Sequence, residues 1–367
     1  MGVLSRTAAV AVGAISVAHL ARRLIRGPAL DFDGKVVLIT GGSRGLGLVL
    51  ARQLARRGCR VAICARDEHE LDNARKDLEA RGAEVLAQSC DVSNADEVRG
   101  LVATVEARFG DIDILINNAG IIQVGPLEAM TTEDFERAMA VNFWGTFHTT
   151  MAVLPRMRER RAGRIVNVTS IGGKVAVPHL LPYSVGKFAA VGFSEGLTSE
   201  VAKDGIKVTT IVPGLMRTGS PANALFKSKA DAEFTWFTLG DSWPITSMSA
   251  ERAARRIVKA LRRGETEVTL SLQAKLVRLT HGIFPGAVTR AMGWMNRLLP
   301  EPGGIGTDER RGMDLATNLP PSRLTWLSNW AAQRNNEYGG THRPKPEHAR
   351  GAGMTNGASE RGKPFAF

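Results

Sequence analysis

Cysteine is scarce in this chain. Only Cys59, Cys64 and Cys90 occur among 367 residues, and no two of them form a Cys-x-x-Cys pair. This spacing excludes a disulfide framework and offers no zinc-binding pattern, so we expect reduced thiols beside buried strands and no bound metal. Two of the seven histidines, His148 and His179, fall near the motifs described below. We expect structural roles for both, with a place in the wall of a substrate site as the alternative for His179.

Tyrosine is scarcer still, with two residues in the whole chain, and Tyr183 stands four positions before Lys187. Residues i and i+4 share one face of a helix, so the ammonium group can lie near the phenol and favour its ionised form. Lowering a phenol pKa from about 10 to about 7 takes roughly 4 kcal/mol, and a phenol tuned in this way acts as a general acid or base. The spacing alone also fits an ordinary pair on a helix surface.

An apolar run, Val36 to Ile39, leads directly into a glycine-rich segment. The run is typical of a buried parallel strand, and the segment after it reads Thr40-Gly41-Gly42-Ser43-Arg44-Gly45-Leu46-Gly47. Glycines let the backbone turn sharply and approach a pyrophosphate, and a helix expected from Gly45 to Arg57 directs its N-terminal amides at the anion. Because a strand precedes the segment and a helix follows it, the pattern predicts a dinucleotide site rather than an ordinary turn.

No acidic residue ends the second predicted strand, Arg60 to Ala65, and Arg66 stands there instead. An NAD-specific site places a carboxylate near this position to hold the ribose 2′-hydroxyl. With Arg44 also nearby, the pocket suits a 2′-phosphate, so we expect NADP(H) to be preferred over NAD(H). The alternative is that Arg66 is a solvated loop cation.

Further apolar runs predict four more strands, and each run ends in a polar or small residue. In an open parallel sheet these carboxyl ends face the ligand crevice, where Asp91 is expected to meet the adenine. The alternation of strands with helical segments predicts a doubly wound, Rossmann-type α/β domain with helices on both faces. The runs and their ends are Glu84 to Cys90 before Asp91-Val92, Ile112 to Ile116 before Asn117-Asn118-Ala119-Gly120, Arg164 to Val168 before Thr169-Ser170, and Val208 to Val212 before Pro213-Gly214.

In this order the motifs resemble the classical short-chain dehydrogenase/reductase (SDR) family, and the resemblance covers residues 31 to 264. Pro182 and Gly186, beside the tyrosine and the lysine, are minor departures that concern backbone geometry rather than chemistry. Ser170 stands thirteen residues before Tyr183, as the family's catalytic serine does. The motifs that carry the resemblance are Thr40 through Gly47, Asn117 through Gly120, Asn142 in the helix after the fourth strand, Ser170, Tyr183 with Lys187, and Pro213-Gly214 followed by Thr218.

The resemblance implies an NAD(P)-dependent enzyme that interconverts a carbonyl and an alcohol, and a homo-oligomer, either a dimer or a tetramer. Tyr183 would be the general acid/base, Lys187 would hold the nicotinamide ribose and lower the phenol pKa, and Ser170 would orient the carbonyl oxygen. Asn142 would hold a water of a proton relay, and Thr218 would anchor the nicotinamide carboxamide. The cofactor-binding residues expected here are Gly41, Ser43, Arg44, Gly45, Leu46, Gly47, Arg66, Asp91, Val92, Asn118, Ala119, Gly120, Tyr183, Lys187, Pro213, Gly214 and Thr218.

Two other classes of protein stay open. A catalytically silent NADP-binding regulatory or scaffold protein at a membrane would keep the phosphate loop, but such a protein usually loses Tyr183 or Lys187. An epimerase or dehydratase of the extended relatives would more often space its glycines as Gly-x-x-Gly-x-x-Gly. Here Gly41, Gly45 and Gly47 follow Gly-x-x-x-Gly-x-Gly.

The stretch after Pro213-Gly214 closes over the substrate in the family's architecture, and here it is apolar. An apolar lid favours an apolar substrate by burying its surface. We therefore expect a lipid-, steroid- or retinoid-like ketone, aldehyde or alcohol, with packing of the lid on itself as the alternative. The apolar residues are Leu215, Met216, Leu225, Phe226, Phe234, Trp236 and Phe237.

The net charge of +12 lies mostly in two flanking segments, since residues 1–30 hold four basic and no acidic residues and residues 250–300 hold ten basic and three acidic ones. No nucleic-acid motif accompanies this charge.

Thr7 to Ala21 is apolar, and Arg22, Arg23 and Arg26 follow it. As a helix this stretch spans only about 22 Å, short of a hydrocarbon core of roughly 30 Å. We expect residues 1–30 to form an anchor or interfacial helix that keeps the enzyme on the cytoplasmic side of a membrane. A cleaved signal peptide and a plain cytoplasmic protein are the alternatives.

Residues 265–300 predict a basic, amphipathic helical extension that Pro285-Gly286 divides in two. Such a helix can lie in the headgroup region of a membrane, while a cap over the substrate pocket or a dimer contact fits equally well. Beyond Pro300 the composition shifts to Gly, Pro, Asn and Arg. This composition predicts a largely disordered tail through residue 367, with one short helix near residues 322–333.

Overall fold

The structure is a computed structural model, and it describes residues 29–242, 247–315 and 326–337. The expectations for the segment Thr7 to Ala21, for the arginines behind it and for the tail beyond residue 337 lie outside these residues. Within the described ranges, no helix is both long and apolar enough to cross a bilayer.

The described residues form twelve strands. In chain order they are β1 (Val36–Thr40), β2 (Arg60–Ala65), β3 (Val85–Ser89), β4 (Ile114–Asn117), β5 (Gln123–Val124), β6 (Gly163–Val168), β7 (Ile206–Val212), β8 (Met216–Arg217), β9 (Leu225–Phe226), β10 (Met248–Ser249), β11 (Glu267–Thr269) and β12 (Arg310–Arg311).

The same ranges contain twelve α-helices. They are α1 (Gly45–Ala55), α2 (Glu68–Glu79), α3 (Ala95–Phe109), α4 (Thr132–Met139), α5 (Gly145–Glu159), α6 (Leu181–Glu200), α7 (Ala230–Ser242), α8 (Ala250–Arg263), α9 (Leu272–Ile283), α10 (Pro285–Asn296), α11 (Gly312–Leu315) and α12 (Trp326–Arg334). A π-helical segment, Ala140–Trp144, joins α4 to α5.

Seven strands form one parallel sheet in the order β11-β7-β6-β4-β1-β2-β3. Alternate residues of a strand face opposite sides, so the continuous apolar run of β1 packs against both layers of helices. Val37 and Ile39 contact the cluster of α1, α2 and α8, whereas Val36 and Leu38 contact that of α3, α5 and α6. The strand order reverses between β1 and β4, and a doubly wound sheet opens its ligand crevice at that point.

The predicted fold class is confirmed, and all six predicted strands are present. The sheet continues past the expected domain boundary at residue 264, because β11 adds a seventh strand beside β7 with Glu267 opposite Thr210. A three-residue strand carries too little local pattern to be read from sequence. The strand β11 forms because β7 presents unpaired backbone hydrogen-bonding groups at the edge of the sheet.

The prediction of disorder was wrong for residues 301–315. The Ile305 amide donates to the Ser228 carbonyl at 2.9 Å, β12 pairs antiparallel with β9, and Leu315 is buried beside Phe226. The glycines that suggested disorder form a tight turn here, since Gly303, Gly304 and Gly306 all have positive φ and glycine adopts that conformation without steric cost.

Candidate active site

The loop between β1 and α1 has the shape of a phosphate cradle. Gly41 and Gly45 have φ values of +62° and +53°, and a Cβ at Gly47 would lie only 2.1 Å from the Gly41 carbonyl oxygen. Side chains are therefore excluded from the inner surface of the loop. The helix α1 begins at Gly45, so the amides of its first turn and its dipole favour an anion at this point. These residues fit a dinucleotide pyrophosphate.

The end of β4 holds this loop in shape. The Asn118 side-chain amide donates to the carbonyl oxygens of Thr40 and Gly41, at 3.2 and 3.0 Å. In return, the Thr40 hydroxyl accepts from the backbone amides of Asn118 and Ala119 at 3.0 and 3.1 Å. The two strand ends that were expected to meet the cofactor are thus joined to each other. The Leu46 side chain is buried in the core below.

The two arginines expected near the ribose 2′ position differ in their surroundings. Arg44 contacts the Glu70 carboxylate at 2.6 Å, and its Nε lies 3.4 Å from the Glu337 carboxylate. Glu70 is placed there by the start of α2, where the N-cap Asp67 accepts from the Glu70 amide at 2.9 Å. Arg66 is largely exposed. We expected both arginines to be available, but Arg44 is already paired with two carboxylates distant in sequence.

The remaining residues of this expected adenosine side lie at the end of β3. Asp91 accepts a hydrogen bond from the Ser93 amide at 2.9 Å and lies 3.9 Å from Arg66. Val92 is buried, and its carbonyl oxygen is 3.3 Å from Nδ1 of His148. His148 therefore has a structural contact, as expected. Ser43, in the loop, donates its hydroxyl proton to Glu70 at 3.1 Å.

Tyr183, Lys187 and Ser170 lie together at the carboxyl end of β6. The Ser170 hydroxyl is hydrogen-bonded to the Tyr183 phenol, and it also accepts from the Gly172 amide at 3.0 Å. Lys187 Nζ lies 5.8 Å from the centroid of the Tyr183 ring and donates to the Val168 carbonyl at 3.2 Å. A proton donor, a second hydroxyl and a buried cation are therefore side by side.

Burial controls the protonation of this group. It raises the pKa of Tyr183 above its usual value, although the hydrogen bond with Ser170 opposes the shift. Burial also lowers the pKa of Lys187 to about 8. We expected Lys187 to lower the phenol pKa; in this arrangement desolvation of the phenolate is the largest influence on that pKa, and the role of Lys187 stays a prediction.

Asn142 lies in the π-helical segment, not in a regular helix as we expected. Its side chain is buried and pairs with the backbone of Ile121, accepting from the amide at 3.2 Å and donating to the carbonyl at 3.1 Å. A Cβ at Gly120 would lie 2.8 Å from Asn142 Oδ1 and 3.3 Å from Lys187 Nζ. Gly120 therefore keeps open the space between these two side chains.

Both departures from the family pattern have structural reasons. Pro182 lies in the first turn of α6, where an amide proton has no intrahelical partner to lose. A Cβ at Gly186 would lie 3.0 Å from the Ala138 carbonyl oxygen and 3.1 Å from Asn142 Cβ. Glycine at this position lets α6 approach α4 closely.

The loop after β7 forms the other wall of the crevice. The Pro213 carbonyl accepts from the Ile171 amide at 2.7 Å, which joins this loop to the segment after Ser170. A Cβ at Gly214 would lie 2.8 Å from Ser271 Oγ. Thr218 is buried, and its hydroxyl accepts from the Ser220 amide at 3.1 Å.

The lid does not place all of its apolar residues toward a substrate. Phe226, Phe234 and Phe237 are buried against one another and against Leu315. For these three aromatic residues the contacts fit the alternative, packing of the lid on itself. Leu215 remains exposed.

His179 joins the lid to the turn before α6. Its Nδ1 lies 2.8 Å from the buried Glu233 carboxylate on α7, to which the Trp236 indole also donates at 2.6 Å. This pairing is the structural role expected for His179.

Sequence reasoning missed a contact from the far end of the chain. Residues 335–337 follow α12 and lie against the glycine-rich loop, with the Gly45 amide donating to the Asn335 carbonyl at 2.9 Å. Helical periodicity signalled that a helix could dock here, but no motif marked the residues after it. In the described part of the chain, no group of three His, Cys, Asp or Glu side chains is arranged to hold a metal.

The crevice thus combines a dinucleotide cradle with a tyrosine, a serine and a lysine. Residues 35–227 match the short chain dehydrogenase family. A dehydrogenase/reductase SDR family protein 7-like from Anopheles gambiae is 39% identical over 248 residues, which cover 66% of this chain and 77% of that protein. The chain belongs to the short chain dehydrogenase family. It is an NAD(P)-dependent oxidoreductase that acts on CH–OH groups.

Solved structures agree with this assignment. A short-chain dehydrogenase from Streptomyces avermitilis superposes with a TM-score of 0.63 at 30% identity, covering 72% of this chain and 97% of that one. A variant of the actinorhodin polyketide ketoreductase, solved with NADPH, superposes with a TM-score of 0.57 at 31% identity, covering 66% of this chain and 97% of that one.

Proposed function

We propose that this chain is an NADP(H)-dependent enzyme that interconverts a hydrophobic ketone or aldehyde and the corresponding alcohol, with Tyr183 as the general acid/base. The observation that carries the proposal is the grouping of Tyr183, Ser170 and Lys187 beside the glycine-rich loop. The test is NADPH consumption by the purified chain with a panel of hydrophobic carbonyl compounds. If no compound of the panel supported NADPH oxidation, the proposed substrate class would be contradicted.

Each role follows from what the side chain contacts. The bound nicotinamide would supply the hydride in reduction and accept it in oxidation. Tyr183 would donate a proton to the substrate carbonyl oxygen, and it is suited to this because burial keeps the phenol protonated. Ser170 would hydrogen-bond the same oxygen and stabilise the developing negative charge.

Lys187 and Asn142 would help to return a proton to Tyr183 after each turnover. Lys187 is buried beside the tyrosine and would hold the nicotinamide ribose. Asn142 would hold a relay water near Lys187, across the space that Gly120 leaves open. The pyrophosphate would lie on Gly41 to Gly47, and Thr218 would hold the carboxamide. The silent-scaffold alternative has nothing in its favour here, since no reacting group is missing.

A preference for NADPH is proposed from Arg66, the exposed arginine at the end of β2. We expect Arg66→Ala to weaken NADPH binding about tenfold and to leave NADH binding unchanged, because a charged hydrogen bond to the 2′-phosphate contributes about 1.5 kcal/mol or more. Fluorescence titration of both cofactors measures this. The control is Arg156→Ala, an exposed arginine on α5. Tighter binding of NADH than of NADPH by the unmodified chain would refute the preference.

A hydrophobic substrate is supported by the exposed Leu215 beside the crevice and by the relative named as a polyketide ketoreductase. The lid aromatics no longer contribute to this argument, since they pack on one another. A lipid-, steroid- or retinoid-like compound remains our proposal for the substrate class.

Contact with a membrane surface is proposed from the surface of α9 and α10. No acidic residue occurs from residue 268 to residue 300, and basic residues occur on both helices. An apolar surface flanked by positive charge suits the headgroup region of an anionic membrane. Eight large apolar side chains are exposed in this region: Leu272, Leu276, Val277, Leu279, Ile283, Phe284, Trp294 and Leu298. The cytoplasmic side of a membrane is the location this proposal favours.

We expect the full chain to float with anionic vesicles at low salt, and the paired substitutions Phe284→Glu and Trp294→Glu to reduce the floated fraction severalfold. Burial of apolar side chains and attraction to anionic lipid both fall in this variant. Leu127→Glu, at an exposed leucine distant in sequence from α9 and α10, is the matched control. Unchanged flotation of the double variant would remove α9 and α10 from the proposal and leave residues 1–30 as its only basis.

A homo-oligomer is proposed from a second apolar surface. Phe143, Trp144, Phe147 and Phe193 form a connected aromatic cluster on α5, α6 and the π segment. Trp144 is exposed in the single chain, as are Met151, Val185 and Phe188. A second copy of the chain would bury this surface.

A further inference from the structure

The three residues after α12 lie on the glycine-rich loop. The Gly45 amide, at the start of α1, donates to the Asn335 carbonyl at 2.9 Å. The Asn336 side-chain amide donates to the backbone carbonyls of Ser43 and Glu70, each at 3.0 Å. The C-terminal segment Asn335 to Glu337 therefore uses the backbone groups at the mouth of the cradle.

The Glu337 carboxylate fills the space that glycine leaves at position 45. A Cβ on Gly45 would lie 2.5 Å from Glu337 Oε1. The other carboxylate oxygen accepts from Asn223 at 2.7 Å and lies 3.4 Å from Arg44 Nε. The side chain is almost completely buried. An anion is therefore held at the N-terminus of α1 by an arginine and an amide.

A cofactor phosphate would need the same position beside Gly45. In loops of this kind the middle glycine lets the backbone approach the pyrophosphate, and the helix N-terminus binds it. A carboxyl group that occupies this space cannot coexist with a phosphate, whether it is ionised or protonated, because both need the room beside Gly45. Arg44, which a 2′-phosphate would need, is also engaged.

We infer that Asn335 to Glu337 is a built-in competitor of the dinucleotide, in which the Glu337 carboxylate takes the place of a cofactor phosphate and must leave before NADP(H) binds. This inference rests on the proposed role of the Gly41 to Gly47 loop as the cofactor cradle. It makes the C-terminal segment a determinant of cofactor affinity, although the segment lies outside the residues that match the family.

The consequence for affinity follows from the population of the open state. If the cofactor binds only chains in which the segment is displaced, the apparent Kd exceeds the intrinsic Kd by the inverse of the open fraction. A segment held by a few hydrogen bonds and one partly compensated charge pair is closed in most chains. We expect its removal to strengthen NADPH binding roughly tenfold.

The competition depends on pH in a defined direction. Burial raises the pKa of Glu337 to about 7 from its usual 4.5, while Arg44 and Asn223 oppose the shift and Glu70 adds to it. The docked carboxyl binds its proton more tightly than the free one, so docking strengthens as pH falls below 7 and weakens as pH rises through 7. The charged groups around the segment are Arg44, Arg52, Glu70, Arg217, Asp241, Glu251 and Arg334.

Protonation of Asp241 also strengthens docking of the segment as pH falls. Burial raises its pKa to about 8, Arg217 opposes this, and the Glu337 charge raises it further. Docking of Glu337 therefore increases proton binding at Asp241 as well. Between pH 8 and pH 6 the Glu337 shift alone strengthens docking roughly tenfold.

The test compares NADPH binding by fluorescence titration of the full chain, of Glu337→Ala and of a chain that ends at Arg334. The control is Glu301→Ala, an exposed glutamate in the same part of the chain. We expect both variants to bind NADPH roughly tenfold more tightly than the full chain at pH 7, and the control to match the full chain. The ratio of Kd values, full chain over truncated chain, should be larger at pH 6 than at pH 8.

Equal or weaker NADPH binding by both variants would overturn the inference and leave the proposed function intact. Hydrogen exchange in residues 331–337 gives an independent readout. We expect saturating NADPH to increase exchange there, because the segment is expelled, whereas decreased exchange would show that it closes over the cofactor and would also overturn the inference. Absence of NADPH binding by the full chain and by both variants would overturn the cradle assignment together with this inference.

Discussion

Replacement of Tyr183 by phenylalanine is expected to lower kcat by about a thousandfold and to leave the Kd for NADPH unchanged. A positioned general acid contributes on the order of 10² to 10⁴ in rate, and phenylalanine keeps the ring while removing the hydroxyl proton that Tyr183 is proposed to donate to the carbonyl oxygen. Steady-state turnover with the best carbonyl substrate, measured beside NADPH fluorescence titration, separates the two effects.

Ser170→Ala provides a graded comparison for this result. It removes the hydroxyl that contacts the phenol but keeps the proton donor, so we expect a smaller loss of kcat than for Tyr183→Phe. Ser199→Ala, at an exposed position near the end of the same helix, should leave turnover unaffected. Turnover of Tyr183→Phe within threefold of the unmodified chain would refute the assigned role.

The protonation of the site bears on the proposed role of Tyr183. Burial raises the pKa of Tyr183, so the phenol would hold its proton at neutral pH, as donation to a carbonyl oxygen in reduction requires. Oxidation of an alcohol needs the phenolate instead. Lys187, with a pKa lowered to about 8, must approach the phenol as a cation to stabilise that form.

The parts that sequence predicted well depend on local pattern. The apolar run from Val36 to Ile39 is buried on both faces of a parallel sheet, and the glycines after it have the positive φ values or close backbone contacts that exclude side chains. Tyr183 and Lys187 come together because they share a helix face, and Ser170 joins them because it lies two residues after the end of β6. These features are set within a few residues of the chain.

The parts that sequence missed depend on contacts between distant segments. The charge of Arg44 gave no sign that Glu70 and Glu337 would pair with it. The apolar residues of the lid indicated an apolar substrate, with packing of the lid on itself as the alternative. Phe226 packs with Phe234, and Leu315 joins them from a segment whose composition indicated disorder. The composition of a segment indicates how readily it folds by itself. It does not show whether another part of the protein provides a surface on which the segment can pack.

The replacement Gly47→Ala is expected to abolish detectable NADPH binding, with a loss of at least a hundredfold, and to lower the Tm. The new methyl group would lie 2.1 Å from the Gly41 carbonyl oxygen and 2.6 Å from Asn118 Nδ2. The Gly41 oxygen is a backbone atom, so the loop and its link to β4 must shift to relieve the clash. Overpacking of this kind costs about 1–3 kcal/mol, equivalent to a Tm decrease of roughly 5 °C in a domain of this size.

Gly100→Ala is the matched control, because this exposed glycine lies in α3 and a Cβ there would have no atom within 4 Å. Alanine is the better helix former by about 1 kcal/mol, so the control should keep NADPH binding and raise the Tm slightly. Thermal unfolding and NADPH titration of the two variants separate a local change in the loop from a general effect of alanine. If Gly47→Ala bound NADPH as tightly as Gly100→Ala, the cofactor would have to bind without the close backbone approach on which the cradle assignment depends.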